Sequence, residues 1–111
     1  MNSQINPGAD ADLIERFLEM LAAERGVARN TLLAYRSDLA AASEMLAGKL
    51  AAASKDTLAI LTAGWSHLAN SSIARKAAAL RGFFGFLEEE GFRPDNPSAA
   101  LPRPVQSRSL P

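Results

Sequence analysis

Four runs of apolar residues recur every three to four positions along the chain, and each run is bounded by residues that start or stop a helix. In the first, Leu13, Phe17, Leu18 and Leu21 share one face and leave Glu15, Arg16 and Glu19 pointing outward. It begins at Asp10 or Asp12, where a carboxylate can accept from free first-turn amides, and ends at Gly26, a residue suited to a left-handed cap. The second run (Leu32, Tyr35, Leu39, Ala42, Leu46) follows Asn30, a good cap, and extends to about Ala47 before Gly48. The third (Leu58, Leu61, Trp65, Leu68) follows Ser54. The fourth (Ile73, Ala77, Leu80, Phe84, Leu87, with Phe83 beside it) starts after Asn70-Ser71 and stops near Glu90, before Gly91. Nothing alternates with period two, alanine and leucine dominate, and β-branched residues are scarce. The pattern predicts an all-α, compact four-helix bundle.

A chain of 111 residues has room for one domain of ordinary length. Its C-terminal part reads differently. Pro94, Pro97, Pro102, Pro104 and Pro111 are too dense for a continued helix. Asp95-Asn96-Pro97-Ser98 reads as a turn opening one short helical turn through Leu101, and 102–111 as an extended linker. The expected organisation is a flexible start over 1–9, a folded unit over 10–101, and a linker over 102–111 leading toward a domain that is not part of this chain.

Several function classes fall away at once. Without cysteine there is no disulfide framework, thiolate metal site or Cys nucleophile. A single histidine, His67, leaves no His-rich metal site and little for a Ser-His triad. The start of the chain lacks the basic and apolar regions of a signal peptide, and no apolar run approaches the roughly 20 residues that span a bilayer. The expectation is a soluble intracellular domain without cofactor, metal or membrane partner, and not an enzyme in its own right.

Twelve bases balance twelve acids, yet their distribution is uneven. Residues 1–24 carry five acids and one base, whereas 25–36 hold Arg25, Arg29 and Arg36 and no acid. Residues 71–87 repeat this with Arg75, Lys76 and Arg81. The bases thus gather near the starts of the second and fourth helices, where free amides and the helix dipole also favour an anion. Asn30, Thr31, Ser71 and Ser72 add small hydrogen-bonding groups at the same two places. None of these bases has an acid four residues away on its own helix at the positions where Arg36 and Arg75 would need one, which points to phosphate as their partner.

The segment LIERFLEMLAAERGVARNTLLAYRSDL, Leu13 to Leu39, carries Asn30-Thr31-Leu32, Tyr35-Arg36 and Asp38-Leu39 as in a family segment NTLxAYxxDL. The segment SSIARKAAALRGFFGFLEEEGFRPDNPS, Ser71 to Ser98, matches that family's later helix and the Asn-Pro turn after it, departing at Ala77 and Ala78. With the closing LPRPVQSRSLP, the chain resembles the N-terminal core-binding, SAM-like domain of Xer-type and phage-integrase tyrosine recombinases over nearly its whole length. The resemblance implies a cytoplasmic, nucleoid-associated DNA-binding domain that clamps duplex DNA together with a C-terminal catalytic domain, in company with other recombinase protomers. It places the nucleophilic tyrosine and its arginine, lysine and histidine helpers in that later domain, so no catalytic residue is expected here.

On this reading the DNA-binding set is Arg25, Arg29, Asn30, Thr31, Tyr35, Arg36, Ser71, Ser72, Arg75, Lys76 and Arg81. Tyr35 also lies on an apolar stripe, where a tyrosine packs its ring and keeps its hydroxyl at the boundary. Trp65 is read as core or as docking the third helix, and His67 as a surface or boundary residue. Asp38 is read as a local helix pair or cap, and Arg16 as a salt-bridged surface residue beside Glu15 and Glu19. The alternative from another class is a helical protein–protein interaction module docking through the first helix or the linker.

Overall fold

The computed structural model describes residues 9–101. Helix α1 covers Asp10–Arg25, α2 Arg29–Met45, α3 Lys55–Ala63 and α4 Asn70–Glu89, and a 3-10 turn follows over Pro97–Ala100. Among the described residues there is no strand, as the period-3.6 stripes require. The expected start over 1–9 and linker over 102–111 lie outside the described residues, Ala9 excepted.

Helix α1 ends because Gly26 turns left-handed at φ 60°, and its amide and that of Val27 both return to the Leu21 carbonyl. Helix α3 begins at Ser54, whose hydroxyl accepts from the Thr57 amide at 3.1 Å. Asn96 caps the 3-10 turn in the same way, accepting from the Ser98 amide at 3.0 Å and from its hydroxyl at 2.6 Å. Two expected caps are not caps. Asn30 lies inside the first turn of α2, after Ala28, and α4 begins at Asn70 itself, after Ala69; neither start has a side-chain cap. Helix α2 also stops at Met45, two residues short of the expectation, with Ala47 at φ 56° and Gly48 at φ 80° reversing the chain.

The bundle packs α1 and α4 on α2, and the 3-10 turn on α3 and α4. Phe17 sits at its centre, edge-on to Phe83 at 5.9 Å and tilted against Phe86 at 5.8 Å. A Cβ on Gly82 would lie 2.9 Å from the Phe17 ring, so this glycine is what lets α1 approach α4. Leu39, Leu50, Leu58, Leu80, Phe84 and Leu87 complete the core, with Trp65 and Tyr35 packed against its edge.

Asp10 does not cap its own helix. Its buried carboxylate accepts from the amides of Leu50 (2.8 Å) and Ala51 (3.0 Å) and from the Ser43 hydroxyl, holding the α2–α3 loop. Arg93, beyond α4, holds the same loop from its other side. Its Nη1 donates to the carbonyls of Ala51 (2.7 Å) and Ala53 (2.9 Å), and its guanidinium lies over the Phe84 ring.

Candidate nucleic-acid interface

Polar side chains at the two uncapped helix starts face outward. Arg29, Asn30 and Thr31 of α2 are exposed, as is Ser71 of α4, while Ser72 is half-buried. Neither first turn contains an acid, whereas those of α1 and α3 carry Asp10 and Asp12, and Asp56. Among the described residues, the first amides of α2 and α4 thus have neither a side-chain cap nor a first-turn acid to answer the positive end of the dipole.

The basic residues divide into three groups. Arg25 and Arg81 line a groove of about 440 Å³ between the end of α1 and the far half of α4, together with Glu88 and Glu89. Arg29 and Arg36 line another of about 320 Å³ between α1 and α2, together with Glu15 and Glu19. Arg75 and Lys76 sit where α4 meets α2. The two starts therefore do not draw all the bases into one patch, and acids share both grooves.

The expectation that Arg36 and Arg75 stand unpaired is corrected. Arg36 grips Glu15 of α1 through Nε and Nη2, both at 2.7 Å. Arg75 grips Asp38 of α2 through Nε at 2.7 Å and Nη2 at 2.8 Å, and Lys76 reaches the same carboxylate at 3.1 Å. Their partners come from other helices, 21, 37 and 38 residues away, where spacing along one helix cannot find them. Asp38 is accordingly an interhelical hub and not a local pair or cap. Arg16 does pair within its own helix, with Asp12 at 3.0 Å.

The two interhelical pairs differ in setting. Glu15 and Arg36 are both about half-exposed, with side-chain exposures of 48% and 45%. The hydrogen bonds from Arg36 hold the Glu15 carboxyl below its ordinary value, against a smaller opposing effect of burial. The Asp38 side chain is only 4% exposed. Burial alone would raise its carboxyl, but the hydrogen bonds and charges of Arg75 and Lys76 outweigh it and the net shift is downward. The one sequence signal for Asp38 is an acid adjoining Leu39 of the α2 stripe, which marks a carboxylate at the core boundary without naming its partner. Glu15, on an outward face, gave no such signal.

Tyr35 is half-buried against the core, Arg81 is half-buried, and Arg25 is exposed without an ion-pair partner among the described residues. No described helix is long and apolar enough to cross a membrane.

Comparison with known proteins agrees with this architecture. Residues 14–91 match the family described as phage integrase, N-terminal SAM-like domain. A tyrosine recombinase XerC of Erythrobacter litoralis is 60% identical over 98 residues, which cover 88% of this chain and 32% of that protein. A tyrosine recombinase XerD of Brucella suis is 48% identical over 103 residues, covering 88% of this chain and 33% of its own. A XerD of Agrobacterium fabrum is 37% identical across 100% of this chain and 35% of its own length. The chain thus spans about a third of the length of the curated relatives it matches. No solved structure gives a significant match. As residues 14–91 span most of the four-helix bundle, the chain belongs to the phage integrase N-terminal SAM-like domain family.

Proposed function

We propose that residues 10–101 form the DNA-binding N-terminal domain of a site-specific tyrosine recombinase, joined by 102–111 to a catalytic domain that closes a clamp around duplex DNA in the cytoplasm. The observation that carries this reading is the character of the starts of α2 and α4. Both lack side-chain caps and acids, and they present Arg29, Asn30, Thr31 and Ser71 to solvent. Such a start offers a phosphate backbone amides, hydroxyl or amide side chains and positive charge together. Arg25 and Arg29 act mainly on phosphates, while Arg36 and Arg75, with planar forks, are suited to a guanine edge. The strand-cleaving chemistry belongs to the catalytic domain, and assembly with other protomers to the whole recombinase.

Titration of a labelled duplex over a range of salt tests the reading. Arg29→Ala should weaken binding to all sequences alike and reduce the slope of log K against log salt by about one. NMR shift mapping supplies the contrary outcome. Perturbations confined to α1, with 29–36 and 71–76 silent, would replace the clamp by a protein-interaction module.

A further inference from the structure

The Asp38–Arg75–Lys76 cluster joins a buried acid to a base that reaches the surface. Asp38 is 4% exposed and the Arg75 side chain 44%. The carboxylate engages Nε and Nη2 of Arg75, so Nη1 and the outer proton of Nη2 point away from it. A two-point fork fixes the plane of the guanidinium as well as its position. Lys76 donates to the Oδ1 atom that also receives Nη2, which anchors the carboxylate from a second side. Ser71, exposed, lies one helical turn before Arg75 on the same side of α4.

We infer that Asp38 is a positioning residue, which sets the plane and outward N–H groups of Arg75 for the duplex before the duplex arrives. This rests on the DNA-binding reading above. An arginine free in solution loses rotamer freedom when it docks, and a fork already in place removes that loss, worth about three- to tenfold in affinity for one long side chain. The Arg36–Glu15 pair has the same fork but lies open to water at both ends, so phosphate can displace Glu15; the buried Asp38 is not displaced in this way.

Asp38→Asn makes the inference sharp because simple electrostatics predicts the opposite sign. Removing a negative charge beside a surface that binds a polyanion should tighten binding. Loss of positioning should instead weaken it by about three- to tenfold, in a nearly isosteric variant. The full chain is titrated with a short fluorescein-labelled duplex of mixed sequence, at a temperature where circular dichroism shows each variant folded. Arg75→Ala should weaken binding at least as much, and Asp38→Asn should add nothing in that background. Without DNA, the Arg75 Nε–Hε NMR signal should exchange slowly in the parent chain and rapidly in Asp38→Asn. If Arg75→Ala weakens binding while Asp38→Asn binds as well as the parent or better, the positioning role is overturned and the DNA-binding reading stands. If Arg75→Ala binds like the parent, Arg75 is not at the interface and the inference fails with it. If the parent chain binds no duplex, it is the DNA-binding reading that fails. Should Asp38→Asn not fold, Arg75→Lys decides, since it keeps the charge and loses the fork. Binding close to that of Arg75→Ala is expected, and parent-like binding overturns the role.

Discussion

Glu15 and Arg36 form a bidentate pair across α1 and α2 with both side chains about half in water, where such pairs add little to stability. In the proposed interface this carboxylate acts as a competitor, because Glu15 and a phosphate draw on the same exposed Arg36 guanidinium. Glu15→Gln should therefore tighten duplex binding and steepen the salt slope by about one, with the thermal midpoint nearly unchanged. Unaltered binding would show that Arg36 takes no part. Acid pH reads the same carboxylates. Asp38, Glu15 and Asp95 are each held below their ordinary values, which are 3.8 for the aspartates and 4.5 for Glu15, by hydrogen bonds from arginines, joined at Asp38 by Lys76. A depressed folded value means stability that is fully present above the unfolded value and is lost as pH falls through the folded one. The urea midpoint should hold steady down to the ordinary carboxylate range and fall below it. A midpoint unchanged through that range would refute the linkage.

At the level of elements, α4 meets α1 tightly at Gly82, where an added Cβ would lie 2.9 Å from the Phe17 ring. Alanine there would gain up to about 1 kcal/mol in helix propensity. The Phe17 ring is 1% exposed and wedged between Phe83 and Phe86, so it cannot yield, and overpacking costs about 1–3 kcal/mol. Gly82→Ala should lower stability by about 1 kcal/mol in a denaturant titration, and a stabilised variant would show that α1 can shift. The helices were legible apart from some of their ends: Gly26, Ser54 and the Asn96-Pro97 turn act where their chemistry placed them, whereas α3 stops at Ala63, short of Trp65 and Leu68 of its apolar run. The starts of α2 and α4 were misplaced by two residues because Asn30 and Asn70-Ser71 look like caps, while the first turns of both helices have no side-chain cap. That same feature supports the proposed interface. The pairs Glu15–Arg36 and Asp38–Arg75 were not legible, since they depend on how α1 and α4 cross α2 and not on any local spacing.

Across the whole molecule, a domain that is about a third of its relatives' length contributes one face of the proposed clamp, and its share of the grip must be ready-made. The loop between α2 and α3 shows how the fold secures this. Asp10, the first residue of the first helix, takes the amides of Leu50 and Ala51, and Arg93, beyond the last long helix, takes the carbonyls of Ala51 and Ala53. Contacts that bring a residue at the start of α1 and one beyond α4 onto one central loop couple the opening of that loop to both helices. The consequence is cooperative unfolding, with this non-helical loop among the last parts to exchange with solvent. The amide protons of Leu50 and Ala51 should exchange with deuterium as slowly as those of Phe83 and Phe84 in the core, through global opening only. Asp10→Ala should abolish that protection, and rapid exchange at these two amides in the parent chain would mean that the loop opens independently of α1 and α4.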